Sequence, residues 1–325
     1  MKIEDLQTHG YLTEKIDKGT DLVSEIEKMK KEKNAVILAH FYQRPEIQDI
    51  ADYIGDSLQL SQAAAATEAD IILFAGVHFM AETAKILSPH KKVLLPDLKA
   101  GCSLADSCPT EDFAEFLKKY PQHTVISYVN TTADIKALTD IICTSSNAKQ
   151  IVDSLPKDAK IVFGPDKNLG NYINSLTGRN MVVWDGACHV HQEFSLERIL
   201  QLKNENPTAK VIAHPECKKP ILLVSDFVGS TAALLKYTQT DMADIYIVAT
   251  ESGILHQMQK YSPNKTFIPA PPEDATCACN DCNFMKLNTL EKIYNCLKYE
   301  LPEITLSQEI IEKAYKPIKR MLELS

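Results

Sequence analysis

The sequence predicts an α/β protein built from three pseudo-symmetric, Rossmann-like domains with parallel sheets. Two observations lead to this prediction. Short, continuous apolar runs alternate with helical stretches along the chain, which is typical of buried parallel strands joined by helices. The runs also fall into three sets that open at Ala35, Thr124 and Lys210, with offsets of 89 and 86 residues. A repeat of this kind indicates three related structural units.

Each predicted helix and strand follows from the pattern of apolar residues in its segment. An amphipathic helix is expected at about 11–32, and helical spacing of apolar residues is expected again in the C-terminal segments "LEKIYNCLKY" and "SQEIIEKAYKPIKRML". Eleven runs are predicted to be strands: 35–41, 71–76, 92–96, 124–130, 141–146, 161–165, 181–186, 210–216, 221–226, 246–250 and 266–271. The predicted domains are 12–105, 106–190 and 191–287, and the helices of 288–325 are expected to pack on the outside of the first.

The three sets carry similar side chains in the same order. The first strand of each set ends in polar residues, namely His40 and Tyr42, Tyr128 and Asn130, and His214 and Glu216. A small hydroxyl side chain beside a turn follows in each set: Ser57, Ser145 and Thr231. The last strand then leads to a cysteine, which is Cys102, Cys188 or one of those within "CACNDC" at 277–282. Ligands of open α/β sheets lie at the carboxyl edge of the strands, so these residues are expected to converge there.

Bulk composition narrows the class of protein. The 325 residues carry a net charge of −8, which argues against a nucleic-acid surface. No apolar stretch reaches 18 residues and the N-terminus has no apolar signal core, so a cytoplasmic protein is expected. In the cytoplasm nine cysteines are a poor disulfide framework, and metal binding or catalysis is the better expectation for those that are not simply buried.

Three cysteines spread over the chain do not resemble a zinc finger, whose ligands come in close pairs. They suit a cubane [4Fe–4S] cluster at the centre of the three domains, with one iron left without a protein ligand. Such an iron can act as a Lewis acid on a substrate oxygen. The hydroxyls where helices are expected to begin suit carboxylates or phosphates. The site therefore predicts small anionic substrates and loss of water or phosphate.

At these residues the sequence resembles the quinolinate synthase family. The matching segments include "AHFYQRPEIQDIADYIGDSLQLSQAA", "FAGVHFMAETAKIL", "LPDLKAGCSLADSC", "SYVNTTADIKALTD", "WDGACHVHQEF", "AHPEC", "DFVGST" and "VATESGILHQM". The resemblance implies three α/β domains around a [4Fe–4S] cluster. It implies a transferase of NAD biosynthesis that condenses iminoaspartate with dihydroxyacetone phosphate, releasing phosphate and two waters to give quinolinate. An L-aspartate oxidase is the implied source of the imine.

The resemblance also assigns residues. Its cluster ligands fall on Cys102, Cys188 and Cys282; Asn283 stands where the family usually has proline, and Cys279 and Cys277 are nearby rivals. Its acid–base pair falls on Tyr42 and Glu216, and His214 is a further proton-transfer candidate. The implied substrate contacts are His40, Ser57, Tyr128, Asn130, Ser145, His214, Glu216 and Thr231, with His191 close to the cluster.

Other interpretations stay open at the level of sequence. Ser57, Ser145 and Thr231 could be plain helix caps, and Cys279 and Cys282 form a C-x-x-C pair that could be redox-active. Four further cysteines are expected to be structural: Cys108, Cys143, Cys217 and Cys296. A ligand-binding module built from Rossmann-like units would need no iron. A nucleotide-dependent enzyme is disfavoured because the chain lacks G-x-G-x-x-G and G-x-x-x-x-G-K-[ST].

Overall fold

A computed structural model describes residues 2–274 and 280–325. In these residues the chain forms three four-stranded sheets whose paired strands are all parallel. The strands are β1 Ala35–His40, β2 Tyr53–Gly55, β3 Ile71–Ala75, β4 Lys92–Leu94, β5 Thr124–Tyr128, β6 Ile141–Cys143, β7 Ile161–Gly164, β8 Val182–Val183, β9 Lys210–Ala213, β10 Phe227–Val228, β11 Ile245–Ala249 and β12 Thr266–Pro269. The predicted α/β class with three similar units is therefore confirmed.

Helices connect the strands and cover the sheets. They are α1 Lys2–His9, α2 Leu22–Glu32, α3 Pro45–Ile50, α4 Ser57–Ala66, α5 His78–Leu87, α6 Ser103–Asp106, α7 Thr110–Lys118, α8 Ala133–Ala137, α9 Ala148–Ser154, α10 Lys167–Thr177, α11 His189–Gln192, α12 Leu196–Glu205, α13 Lys219–Val224, α14 Thr231–Thr240, α15 Ile254–Tyr261, α16 Leu290–Tyr299 and α17 Gln308–Glu323, with a 3₁₀ turn at Met285–Leu287. Within the described ranges, every helix is too short or too polar to cross a lipid bilayer.

The three sheets share one strand order and one register. The orders are β2-β1-β3-β4, β6-β5-β7-β8 and β10-β9-β11-β12. Leu38 pairs with Tyr53, and the pairs Ile126 with Ile141 and Ile212 with Phe227 repeat this register 88 and 86 residues further on. The division of the chain into three domains at the expected boundaries stays a prediction.

A contact between an aspartate side chain and a strand backbone repeats with the same spacing and was not found from the sequence. The carboxylates of Asp52, Asp140 and Asp226 accept the backbone N–H groups of Ile37, Val125 and Val211 at 2.7, 2.8 and 2.8 Å. In each unit the aspartate N–H also donates to the carbonyl of the same strand residue. Because a buried backbone group needs a partner, this contact fixes the start of the edge strand in every unit.

Apolar side chains from the three units form the core. The central strands β1 and β3 are almost entirely buried. Helix α16 packs on α2 and β3, and helix α17 lies against α5, α8 and β6, so the C-terminal helices contact both the first and the second sheet. The units also meet through hydrogen bonds, since Ser146 Oγ donates to Asp56 Oδ2 at 2.7 Å and lies 2.8 Å from Ser230 Oγ.

Two predicted elements are wrong in part. The expected strand at 221–226 is occupied largely by helix α13, and the strand β10 follows it. Pro220 lies in the first turn of α13, where its missing N–H is no loss. The expected helix at 11–32 begins only at Leu22, because Gly19 has a φ of +88° and Asp21 caps the helix by accepting the N–H of Ser24.

Candidate active site and metal centre

One cavity lies where the carboxyl ends of the three sheets meet. All thirteen residues singled out from the sequence and the resemblance line it, and they come from all three units. They are His40, Tyr42, Ser57, Cys102, Tyr128, Asn130, Ser145, Cys188, His191, His214, Glu216, Thr231 and Cys282. The rivals Cys277 and Cys279 lie outside the described residues.

Two histidines at equivalent strand ends are held in the same way. His40 ends β1 and His214 directly follows β9. The Nδ1 atom of His40 accepts the N–H of Tyr42 at 3.2 Å, and that of His214 accepts the N–H of Glu216 at 3.4 Å. A backbone N–H can only donate, so both imidazoles carry their proton on Nε2. Burial lowers the pKa of each to about 3, and both are neutral N–H donors near neutral pH.

Glu216 is buried among hydrogen-bond donors. Its Oε1 accepts the hydroxyl of Tyr128 at 2.6 Å, and its Oε2 lies 3.1 Å from His191 Nδ1. Burial acts to raise the pKa of Glu216, but the neighbouring imidazoles of His191 and His214 and the hydrogen bond from Tyr128 outweigh it and lower the pKa to about 2. Glu216 is therefore a carboxylate near neutral pH.

A row of polar atoms runs from Tyr42 to Glu216. The hydroxyl of Tyr42 lies 2.9 Å from Thr231 Oγ1 and 2.7 Å from Thr250 Oγ1. Thr250 Oγ1 is in turn 3.1 Å from His191 Nε2, and His191 reaches Glu216. Burial raises the pKa of Tyr42 well above its ordinary value, so the phenol keeps its proton. The two members of the expected acid–base pair are thus joined through Thr250 and His191.

The three hydroxyl residues face the cavity and do not cap helices. Helix α4 is capped by Asp56, which accepts the N–H groups of Leu58 and Gln59, and α14 is capped by Ser230. Ser57 and Thr231 are the first residues of these helices. Ser145 precedes α9 and lies 3.1 Å from His214 Nε2. The alternative in which these three residues are plain caps is wrong.

Each of the three cavity cysteines begins a tight turn. Cys102 precedes α6, Cys188 precedes α11, and Cys282 precedes the 3₁₀ turn. In all three, the backbone N–H of the residue three positions later, at Ala105, His191 and Met285, acts to lower the pKa of the thiol against the effect of burial. Hydrogen bonds to sulfur are one of the ways a protein tunes an iron–sulfur cluster.

The chemistry of these thiols also suits metal ligands. Burial raises the pKa of Cys102 to about 12 and that of Cys282 to about 11, and it raises the pKa of Cys188 well above its ordinary value. The thiols of Cys102 and Cys282 also raise the pKa of Cys188, and all three cysteines line the one cavity. A bound cation would stabilise the thiolates that burial disfavours. The residues present therefore fit a polynuclear iron–sulfur cluster.

In the described part of the chain, one group of side chains is compact enough to hold a single metal ion, and it is not the set of three cavity cysteines. Cys188, His191 and Glu216 each offer a ligand atom, and these atoms all lie within 4.8 Å of one another. Among the described residues, the three cavity thiols do not form such a compact group.

Glu251 is a site residue that the sequence reasoning missed. It is 1% exposed, and its carboxylate accepts the N–H groups of Cys282 at 3.0 Å and Gly253 at 2.7 Å. Lys286 Nζ lies 2.8 Å from Glu251 and also donates to the carbonyl of Tyr42 at 2.7 Å. Glu251 follows β11 rather than a first strand, so the repeat gave no signal for it. It ties the turn of Cys282 to the third sheet and to Tyr42.

We expect Glu251→Gln to lower the amount of iron that the chain holds. The amide accepts fewer N–H bonds and leaves Lys286 without its ion pair, at a cost of about 1–3 kcal/mol. Urea unfolding and iron per chain after anaerobic reconstitution measure both effects. Glu205→Gln, on the exposed face of α12, is the control. Iron content equal to that of the unchanged chain would contradict this role.

Known proteins match the chain along most of its length. A family model described as "Quinolinate synthetase A protein" matches residues 24–323. A quinolinate synthase from Thermosynechococcus vestitus is 62% identical over 305 residues, covering 94% of this chain and 96% of that protein. Quinolinate synthases from Nostoc sp. and Chloroherpeton thalassium are 61% and 58% identical over 305 residues, covering 94% of this chain and 94% and 95% of those proteins.

Proposed function

The chain belongs to the quinolinate synthase family of enzymes, and on that premise we propose that it condenses iminoaspartate with dihydroxyacetone phosphate to give quinolinate, phosphate and two waters. Both substrates are small anions, and an L-aspartate oxidase is the proposed source of the imine. The observation that carries the proposal is the meeting of a carboxylate, a phenol, neutral imidazoles and three thiols in one buried cavity.

We propose that Cys102, Cys188 and Cys282 hold a [4Fe–4S] cluster. When bound, the cluster would supply an iron without a protein ligand, which is a Lewis acid for a substrate oxygen. The repeated N–H contact to each sulfur supports Cys282 as the third ligand.

Proton transfer is assigned to Glu216 and Tyr42. Several steps of this condensation remove a proton beside a carbonyl or imine carbon, and the ionised Glu216 can accept it. Tyr42 keeps its proton and can donate it to a developing enolate oxygen. His191 and Thr250 lie between the two groups, with Thr250 Oγ1 2.7 Å from the hydroxyl of Tyr42 and His191 Nδ1 3.1 Å from Glu216 Oε2.

The remaining residues bind and orient the substrates. The neutral His40 and His214 present Nε2–H groups, which can donate to carboxylate oxygens. Asn130 Oδ1 is buried, without a hydrogen-bond partner in the described part of the chain, and is free to accept from a substrate hydroxyl. Ser57 and Thr231, at the starts of α4 and α14, add hydroxyls at the positive ends of two helices. Holding two reactants in register in this way lowers the entropic part of the barrier.

Anaerobic turnover tests the proposed function. The protein is purified without oxygen, mixed with chemically generated iminoaspartate and dihydroxyacetone phosphate, and followed by the absorbance of quinolinate. Brown protein with continuous product formation is expected. Colourless protein that holds no iron and forms no quinolinate would reject the reaction and favour a ligand-binding module.

We expect Ser57→Ala mainly to weaken substrate binding. A hydrogen bond to an anionic group contributes about 1.5–3 kcal/mol, so KM should rise about tenfold or more while kcat changes little. Steady-state kinetics with each substrate varied in turn separates the two constants. Ser175→Ala, an exposed position on α10, serves as the control. A fall in kcat without a change in KM would give Ser57 a part in the chemistry.

A further inference from the structure

We propose that Cys188, His191 and Glu216 bind a single zinc ion when the chain carries no iron–sulfur cluster. A thiolate, an imidazole and a carboxylate are the ligand types that Zn²⁺ takes in proteins. Their ligand atoms already lie within 4.8 Å of one another, and the three side chains are largely or partly buried. Three protein ligands would leave a fourth position of the tetrahedron open.

The contact between His191 and Glu216 is suited to a cation. His191 is 2% exposed, and its Nδ1 lies 3.1 Å from Glu216 Oε2, yet the contact does not have the geometry of a hydrogen bond. Its Nε2 faces Thr250 Oγ1 at 3.1 Å and can donate to it. With the proton on Nε2, the Nδ1 lone pair faces a carboxylate oxygen. A metal ion between two such acceptors relieves their repulsion.

The neighbouring residues already hold the ligands in place. Tyr128 donates to the Glu216 oxygen that does not face His191. Thr250 fixes the second nitrogen of His191, as the partners of metal-bound histidines usually do. Cys188 is held by the turn that opens α11. To bind one ion, the three ligand atoms therefore need to approach one another by only a fraction of their present separation.

This site and the proposed cluster exclude each other, because both use Cys188. Zinc binding does not depend on the proposed function, whereas its competition with the cluster does. A chain that binds zinc first would then be slow to take up iron and sulfide.

Metal titration of the full chain tests the site. Protein purified in air and treated with a chelator is titrated with Zn²⁺ by calorimetry and with Co²⁺ by visible absorption, where a tetrahedral site with one thiolate has a characteristic spectrum. His191→Gln, Cys188→Ser and Glu216→Gln should each weaken binding by more than the ~10–100-fold typical of lost supporting partners. Thr250→Val should weaken it by about tenfold. Cys102→Ser and Cys282→Ser line the same cavity and should retain it.

The results of these titrations decide separately on the zinc site and on the assignment of Cys188 to the cluster. Equal binding in His191→Gln and the unchanged chain overturns the proposal, as does loss of binding in Cys102→Ser. Thermal unfolding without metal checks that each variant folds, and His191→Gln carries the test if Cys188→Ser does not fold. A separate arm adds Zn²⁺ before cluster reconstitution. If zinc binds as expected but does not slow iron uptake, the zinc site stands and the assignment of Cys188 to the cluster is wrong.

Discussion

Glu216→Gln is expected to keep the brown colour of the proposed cluster and to lose turnover by at least ~10²-fold, the usual effect of removing a general base. Glutamine has the shape of glutamate, so the hydroxyl of Tyr128 can still donate to the side-chain oxygen. It cannot accept the substrate proton. Anaerobic kinetics, the visible spectrum and the affinity for a product-like dicarboxylate are measured on the same preparation.

The pH behaviour of Glu216 supports the design of this experiment. A group whose pKa is lowered to about 2 stays ionised throughout the neutral range, so the base form is present at any convenient assay pH. A bound dianionic substrate disfavours the carboxylate and raises its pKa toward a value better suited to a base. Glu197→Gln, exposed on α12, is the control. Near-normal turnover in Glu216→Gln would leave the base role to Tyr42 or a histidine.

Cys102→Ala, Cys188→Ala and Cys282→Ala are each expected to abolish cluster incorporation. Three thiolates hold a cubane, and two hold it poorly, so each single loss should have nearly the full effect. Iron and sulfide per chain and the visible spectrum are measured after anaerobic reconstitution.

The matched controls for the cluster ligands are Cys108→Ala, Cys143→Ala and Cys296→Ala. These three cysteines are 1%, 0% and 1% exposed and pack in the apolar core, away from the cavity lining. Each substitution should cost about 1 kcal/mol of stability and leave iron near the level of the unchanged chain. If Cys282→Ala retained full iron and Cys279→Ala lost it, the third ligand would be reassigned while the proposed reaction would stand.

The sequence predicts the central strands and the edge strands β4, β6, β8 and β12, and it misses the edge strands β2 and β10. The central strands β1 and β3 are continuous apolar runs because both faces of a parallel sheet are covered. β2 went unnoticed because it has three residues and lies at a sheet edge, where Tyr53 is 47% exposed. The run at 221–226 has the composition of either a buried strand or a short helix, and only the proline at its start distinguishes the two.

The residues of the candidate site also fall into those that the sequence could predict and those that it could not. His40, Tyr128 and His214 could be found from the sequence because strand order and register put equivalent positions at one edge. Thr250, Glu251 and Lys286 could not, because their place in the site depends on how the third sheet meets Tyr42 and the turn of Cys282. Contacts between units cannot be predicted from the spacing of residues along one unit.

The shared register of the three sheets has a consequence for the chemistry of the cavity. A trimer of one identical unit would place the same residue three times at each position around the cavity. Three carboxylates at the position of Glu216 would repel one another, and three phenols would leave no base. Because the three units belong to one chain, that position can carry three different residues, Tyr42, Asn130 and Glu216, which lie 88 and 86 residues apart. A repeated scaffold can therefore surround the proposed substrates, which have no threefold symmetry.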